Sequence, residues 1–205
     1  MRIIVIGATG TIGRAVVKAL SQDHDVVGVA LEGADFAADI TSRTSIENLY
    51  RQLSPFDAVA SPAGYAKFGQ LDELTDDDYL LGLRSKLMGQ VNLVRIGLNY
   101  INENGSFTLT SGALSQEPMP GSTLLSMVNA GIEGFVRAAA LEMKRGVRIN
   151  VVSPIFVTET VEALGLTIAQ TIPAAKVALV YKESIEGRRN GEVLDVRKFQ
   201  ETRGR

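Results

Sequence analysis

The chain of 205 residues has no cysteine, which excludes disulfides, thiolate nucleophiles and cysteine-held metals. It has one histidine, His24, so neither a histidine-based catalytic triad nor a multi-histidine metal site can be built. That histidine stands in Asp23-His24-Asp25, between a first helix and a second strand, and reads as a surface turn residue. No sign of charge dominates. Lys and Arg number 21 against 23 Asp and Glu, a net charge of −2, and nothing in that balance draws the chain to nucleic acid or an anionic membrane. No segment reads as approaching the ~18–20 apolar residues of a membrane span. Gly7 interrupts the first apolar run too early for a signal-peptide core. The expectation is a cytoplasmic protein with no metal site.

The composition that remains, 45% hydrophobic and 21% charged, is that of an ordinary globular domain. Short apolar runs at 2–6, 26–31, 36–39, 57–60, 106–110, 147–152 and 192–196 read as strands, and segments with helical spacing separate them. One helix follows Thr41 (Ile46, Leu49, Tyr50, Leu53) and closes at Ser54-Pro55. Another begins at Thr75-Asp76-Asp77-Asp78, a capped start whose acidic run complements the helix dipole, with Tyr79, Leu83, Leu87, Val91, Val94 and Leu98 as its apolar stripe. Two more are expected over about 122–143 and 174–186. Strands alternating with helices predict an α/β fold: one Rossmann-type, doubly wound parallel sheet of about seven strands, flanked by helices. That domain is expected to span 1–197, with 198–205 as a basic tail; Arg197, Lys198, Arg203 and Arg205 read as solvated and frayed.

The strongest local signal is at the start. Arg2-Ile3-Ile4-Val5-Ile6 runs into Gly7-Ala8-Thr9-Gly10-Thr11-Ile12-Gly13, and helical spacing follows (Ala15, Val16, Ala19, Leu20). A strand, a glycine turn and a helix N-terminus form a pyrophosphate cradle, because glycines let the chain turn and let backbone N–H groups approach phosphate. Gly7, Thr9, Gly10, Thr11, Ile12 and Gly13 are therefore candidate cofactor-binding residues.

Further motifs make the whole chain resemble the short-chain dehydrogenase/reductase family. Asp39-Ile40 resembles its acidic residue after the third strand, which contacts adenine. Ala60-Ser61-Pro62-Ala63-Gly64 stands where its Asn-Asn-Ala-Gly follows the fourth strand, with only Ala63-Gly64 retained. Phe107-Thr108-Leu109-Thr110-Ser111-Gly112 resembles the fifth strand with its catalytic serine, Ser111. Asn150-Val151-Val152-Ser153-Pro154, with Thr158, resembles the segment that touches the nicotinamide carboxamide. Asn129-Ala130-Gly131-Ile132-Glu133-Gly134-Phe135 through Leu141-Glu142 matches the long helix that carries the catalytic pair. The resemblance implies a dinucleotide cofactor, a small-molecule substrate and a homo-oligomer.

One departure concerns the chemistry. The family's Tyr-x-x-x-Lys pair falls on Leu125 and Asn129, and none of the tyrosines (50, 65, 79, 100, 181) has a lysine four residues on. A lysine, Lys86, stands instead where the family keeps an asparagine on the preceding helix, so lysine and asparagine look exchanged. Lys86 either delivers its ammonium to the site from the opposite helix or is a helix-surface lysine. Tyr65, after Ala63-Gly64, is a candidate substitute proton donor or a rim aromatic; Ser122, Thr123 and Ser126 flank the lost tyrosine. The candidate catalytic set is Ser111, Lys86 and Tyr65.

The cofactor is NAD or NADP, with a lean to NAD. Leu31 occupies the ribose-reading position after the second strand and Glu32 follows, an acidic residue suited to a ribose diol. Arg14 could approach a 2′-phosphate, or is simply exposed in the first helical turn. About fifteen residues, Thr158 to Pro173, are left for a substrate lid, which implies a compact or open site. Two functions follow: an oxidoreductase that moves hydride between NAD(P) and a small carbonyl or alcohol at a non-standard active site, or a catalytically silent NAD(P)-binding redox sensor or interaction module.

Overall fold

A computed structural model describes residues 1–199. Its strands are β1 (Arg2–Ile6), β2 (Asp25–Ala30), β3 (Phe36–Ala37), β4 (Phe56–Ala60), β5 (Ile101–Thr110), β6 (Arg148–Ser153) and β7 (Val193–Asp195). Its helices are α1 (Thr11–Leu20), α2 (Arg43–Leu53), α3 (Asp76–Gly82), α4 (Gln90–Gly97), α5 (Thr123–Glu142), α6 (Thr158–Ala163) and α7 (Ala174–Glu186). All strand pairings are parallel, in the order β3-β2-β1-β4-β5-β6-β7. The doubly wound, seven-stranded Rossmann-type sheet expected from the sequence is therefore present.

Successive strand residues point to opposite faces, so a run such as Ile3-Ile4-Val5-Ile6 must be buried on both. Ile4 and Ile6 join Phe107, Leu109 and Ile149 in one core, which Ile46 and Leu49 of α2, Val94 of α4 and Ile132 of α5 complete. Ile3 and Val5 face the other way, with Ala58 and Val152, under Val16 and Leu20 of α1 and Val177 and Tyr181 of α7. The strand order reverses between β1 and β4, which opens a crevice at their carboxyl ends.

Several elements depart from the expected outline. β3 stops at Ala37 instead of 39, because Asp39 turns the chain: its carboxylate accepts the Thr41 N–H at 2.8 Å, and its own N–H donates to Ser45 Oγ. The Thr75 capping box is formed, Thr75 Oγ1 accepting the Asp78 N–H while Asp78 Oδ2 accepts the Thr75 N–H. The stripe it was expected to start is not one regular helix. A π-helical turn, Leu83–Gly89, separates α3 from α4 and shifts the face presented to the sheet. Val91 and Val94 are buried, whereas Tyr79, Leu83 and Leu87 are only half-buried.

Three readings of the surface change as well. His24 is not a free surface residue, since its Nε2 lies 2.8 Å from Glu186 Oε1 on α7. Arg197 is not frayed: it sits in a 3-10 turn, its guanidinium 2.8 Å from both Asp195 and Glu117, while Arg203 and Arg205 lie outside the described residues. Thr123–Glu142 is long and apolar enough to cross a membrane, with a mean hydropathy of 1.3, contrary to the expectation that no segment approaches this. Its leucines, valines, isoleucine and alanines raise the average. In the fold one face of that helix packs on the sheet through Val128, Ile132 and Val136.

Candidate functional site

The glycine turn after β1 is built to bring backbone close to backbone. Gly7 takes φ +92°, and a β-carbon there would lie 3.1 Å from Ala63. At Gly13 a β-carbon would come within 1.9 Å of the Gly7 carbonyl oxygen, so no side chain fits between turn and helix. α1 starts at Thr11 with no side-chain cap, which leaves the N–H groups of its first turn (Thr11, Ile12, Gly13) facing outward at the positive end of the helix.

Beside this turn runs a groove of about 740 Å³. Gly7, Thr9, Gly10, Leu31, Glu32, Asp39, Ile40, Ala63, Gly64 and Tyr65 line it, all of them candidates from the sequence. Thr11, Ile12 and Gly13 are not in its wall; they build the helix start, and Ile12 packs into the core. Arg14 is exposed and also lies outside the wall. A glycine cradle, an uncapped helix N-terminus and an acidic side chain at the end of β2 fit a dinucleotide.

A second cavity, of about 510 Å³, opens between the β5 loop, α5 and the chain after β6. It gathers Lys86, Ser111, Leu125, Asn129 and Pro154, and its far walls are apolar at Met119, Ile155, Phe156, Val157 and Ile168 but also carry Glu117, Thr160, Gln170 and Arg197. The short lid segment thus still closes one side. The walls of the two spaces meet where Gly64 packs on Lys86. The glycine lines the groove with φ +114°, and a β-carbon on it would come 2.8 Å from the Lys86 α-carbon.

Each polar group in the cavity has a local cause. Lys86 sits in the π-helical turn, half-buried, and desolvation pushes its ammonium down to about 8. Ser111 is buried; its N–H donates to the Val152 carbonyl at 3.0 Å. Its hydroxyl donates to Glu133 Oε1 at 3.1 Å. Asn129 is 3% exposed, and its Oδ1 has no hydrogen-bond partner among the described residues. Gly112 leaves room for that amide, as a β-carbon there would meet Asn129 Nδ2 at 2.9 Å.

Not every candidate arrives here. Tyr65 is 57% exposed on the groove and is absent from the wall of the Ser111 cavity; only its backbone N–H is tied down, to Ser85 Oγ. Thr158 lines neither space, because its hydroxyl donates to Thr171 Oγ1 at 2.9 Å. Ser122 is spent on the Met119 carbonyl and on Ser126. Two further tyrosines are buried elsewhere, Tyr50 donating to the Leu93 carbonyl and Tyr181 bonded to Thr110 Oγ1.

Two residues of the site had no role in the sequence reading. Gln90 bonds the backbone of Thr110 and the carbonyl of Lys86. Glu133 collects Ser111, Ser115, Gln116 and Arg137. A signal for Glu133 existed: Leu125, Asn129 and Glu133 follow at i, i+4 spacing, beside the apolar stripe of Val128, Ile132 and Val136.

A family model described as enoyl-(acyl carrier protein) reductase matches residues 4–197. An uncharacterized oxidoreductase of Methylorubrum extorquens is 24% identical over 188 residues, covering 80% of this chain and 76% of that protein. Carbonyl reductase family member 4 of Xenopus tropicalis is 27% identical over 183 residues, 79% of this chain and 77% of that one. Among solved structures, the protein lin1944 from Listeria innocua superposes with a TM-score of 0.92 at 38% identity, covering 96% of this chain and 99% of its own. A small-chain dehydrogenase crystallised with NADPH shares the fold, with a TM-score of 0.85, 24% identity and 95% of each chain covered. With the glycine turn, the sheet order and a match over nearly the full length, this chain belongs to the short-chain dehydrogenase/reductase family of oxidoreductases.

Proposed function

We propose that the protein transfers a hydride between a nicotinamide dinucleotide and a small carbonyl or alcohol, through a polar set that departs from its family's. The observation that carries this reading is the meeting of Lys86, Ser111 and Asn129 in one cavity, whose wall at Lys86 packs against Gly64 of a groove fit for a dinucleotide. When bound, the nicotinamide supplies or accepts the hydride. The Thr11, Ile12 and Gly13 N–H groups hold the pyrophosphate, with Thr9 and Gly10 beside it; Asp39 and Ile40 wall the adenosine side, and Ala63 and Gly64 lie towards the Lys86 cavity. Pro154 and Asn129 border the nicotinamide end.

Lys86 places a cation in this end from the helix opposite α5, able to bind a ribose hydroxyl or to stabilise charge developing on the reacting oxygen. Ser111 contacts that oxygen. Leu125 occupies the family's tyrosine position and cannot transfer a proton, so Lys86 or an ordered water moves it, rather than Tyr65 on the groove rim. Thr158 takes no part in this reading. Glu32 and Asp39 line the groove, and among the described residues no lysine or arginine does, which favours NAD over NADP. The exposed Gly134, Ala138 and Leu141 on α5 favour self-association through that helix.

Leu125 also supports the second reading, a silent dinucleotide-binding sensor or interaction module. Single-turnover oxidation of bound NADH by a panel of small aldehydes and ketones separates the two. Turnover that falls at least about tenfold in Lys86→Met at saturating NADH is the expected result. Tight dinucleotide binding with no turnover on any carbonyl favours the sensor.

A further inference from the structure

We propose that Glu133 sets Ser111 as a hydrogen-bond acceptor, so that the cavity takes a small, largely apolar alcohol in preference to the matching ketone. This rests on the hydride-transfer reading and specifies its substrate side. A serine hydroxyl has one hydrogen and two lone pairs. Here the hydrogen goes to Glu133 Oε1 at 3.1 Å. The glutamate is 3% exposed and sits one turn beyond Asn129 on α5.

Four donors converge on its two oxygens. Besides Ser111 these are Ser115 Oγ at 2.6 Å, Gln116 Nε2 at 3.4 Å and the Arg137 guanidinium at 3.4 Å. Such a setting suits a carboxylate, which can only accept. A hydrogen bond to a carboxylate is roughly twice as strong as one to a neutral carbonyl, so a ketone in the cavity does not win the Ser111 hydrogen away. Ser111 then offers the ligand lone pairs only.

Lys86 is a donor in the same wall, whereas Asn129 Oδ1, unpartnered but with almost no exposed surface, is not offered to a ligand. An alcohol satisfies this arrangement, giving its hydrogen to Ser111 and taking one from Lys86. A ketone oxygen takes the Lys86 hydrogen but meets the Ser111 lone pairs with no hydrogen between. The remaining wall is mixed, apolar at Met119, Ile155, Phe156 and Ile168 and polar at Glu117, Thr160, Gln170 and Arg197, and its apolar part suits a hydrocarbon body. Glu133 is thus a positioning residue, which acts on the ligand through Ser111.

The test is ligand-observed NMR titration of two matched pairs, cyclohexanol with cyclohexanone and 1-phenylethanol with acetophenone, against the dinucleotide-free protein at pH 7. Wild type is expected to bind each alcohol about three- to tenfold more tightly than its ketone, the span of one hydrogen bond. In Glu133→Gln the carboxamide N–H₂ can donate to Ser111 and free its hydrogen, so the ratio should fall to unity or reverse. Ser111→Ala should abolish the preference while leaving ketone affinity within about twofold; this variant decides the matter if the glutamine variant does not fold. A ketone preference in wild type, no binding of any of the four, or a preference that survives in Ser111→Ala overturns the proposal. A separate NADH titration tells its failure from that of the hydride-transfer reading: absent dinucleotide binding with the alcohol preference intact sinks only the latter.

Discussion

Gln90 holds both backbone groups of Thr110, its Nε2 donating to the carbonyl and its Oε1 accepting the N–H, each at 2.8 Å. The same Nε2 reaches the Lys86 carbonyl at 3.1 Å. One buried side chain therefore ties the π-helical turn that carries Lys86 to the strand end that carries Ser111. Gln90→Leu keeps the volume but leaves the Thr110 groups unpaired. Urea unfolding should show a loss of about 2–4 kcal/mol, since buried unpaired backbone groups are expensive.

Gly64 faces Lys86 from the other side. With φ +114° and only 2.8 Å between a β-carbon and the Lys86 α-carbon, Gly64→Ala meets both strain and a backbone clash. The expected cost is about 1–3 kcal/mol of stability, read as a lower melting temperature. NADH affinity should fall with it, because the loop that lines the groove is the part that must move.

The degree to which this site was legible in the sequence follows from where each signal is local. The glycine turn and the Thr75-Asp78 box are set by neighbours in the chain and stand where they were read, whereas the strand runs are found with shifted ends, β3 stopping at Ala37 and β5 starting at Ile101. Lys86 was placed near the site by resemblance, and the regular helical spacing around it could not show the π-helical turn of Leu83–Gly89. Glu133 looks like a surface charge until Ser111, Ser115 and Gln116, 17–22 residues away in the chain, fold onto it. Thr158 and Tyr65 were placed by resemblance alone; their surroundings depend on the segments after β6 and β4, which the motifs do not determine.

Lys86 also gives a pH dependence. Burial pushes its ammonium down to about 8, below the unfolded value of 10.5. Between those values the unfolded chain binds a proton that the folded protein has lost, so stability rises with pH across this window, and the burial penalty is present in full below it. Lys86→Met should therefore be more stable than wild type at pH 7, by about 1–2 kcal/mol for a half-buried lysine. The difference should shrink towards pH 10.5 in chemical denaturation. NADH binding should move the opposite way, weakened at least about tenfold by the loss of the cation.

At the other end of the groove Glu32 stands exposed beyond β2, and no lysine or arginine among the described residues lines the wall with it. Wild type should bind NADH more tightly than NADPH. Glu32→Arg should shift that ratio by about tenfold or more towards NADPH, since a 2′-phosphate pairs with guanidinium and repels carboxylate. Fluorescence titration of the two reduced dinucleotides checks it.

The most direct test of the whole account is calorimetric titration of NAD, NADH, NADP and NADPH into wild type and Lys86→Met. The expected result is one site per chain, micromolar affinity for NAD or NADH, weaker NADP and NADPH, and a clear loss in the variant. Absence of binding by all four dinucleotides at millimolar concentration would contradict it. So would an affinity for NADH that Lys86→Met leaves unchanged.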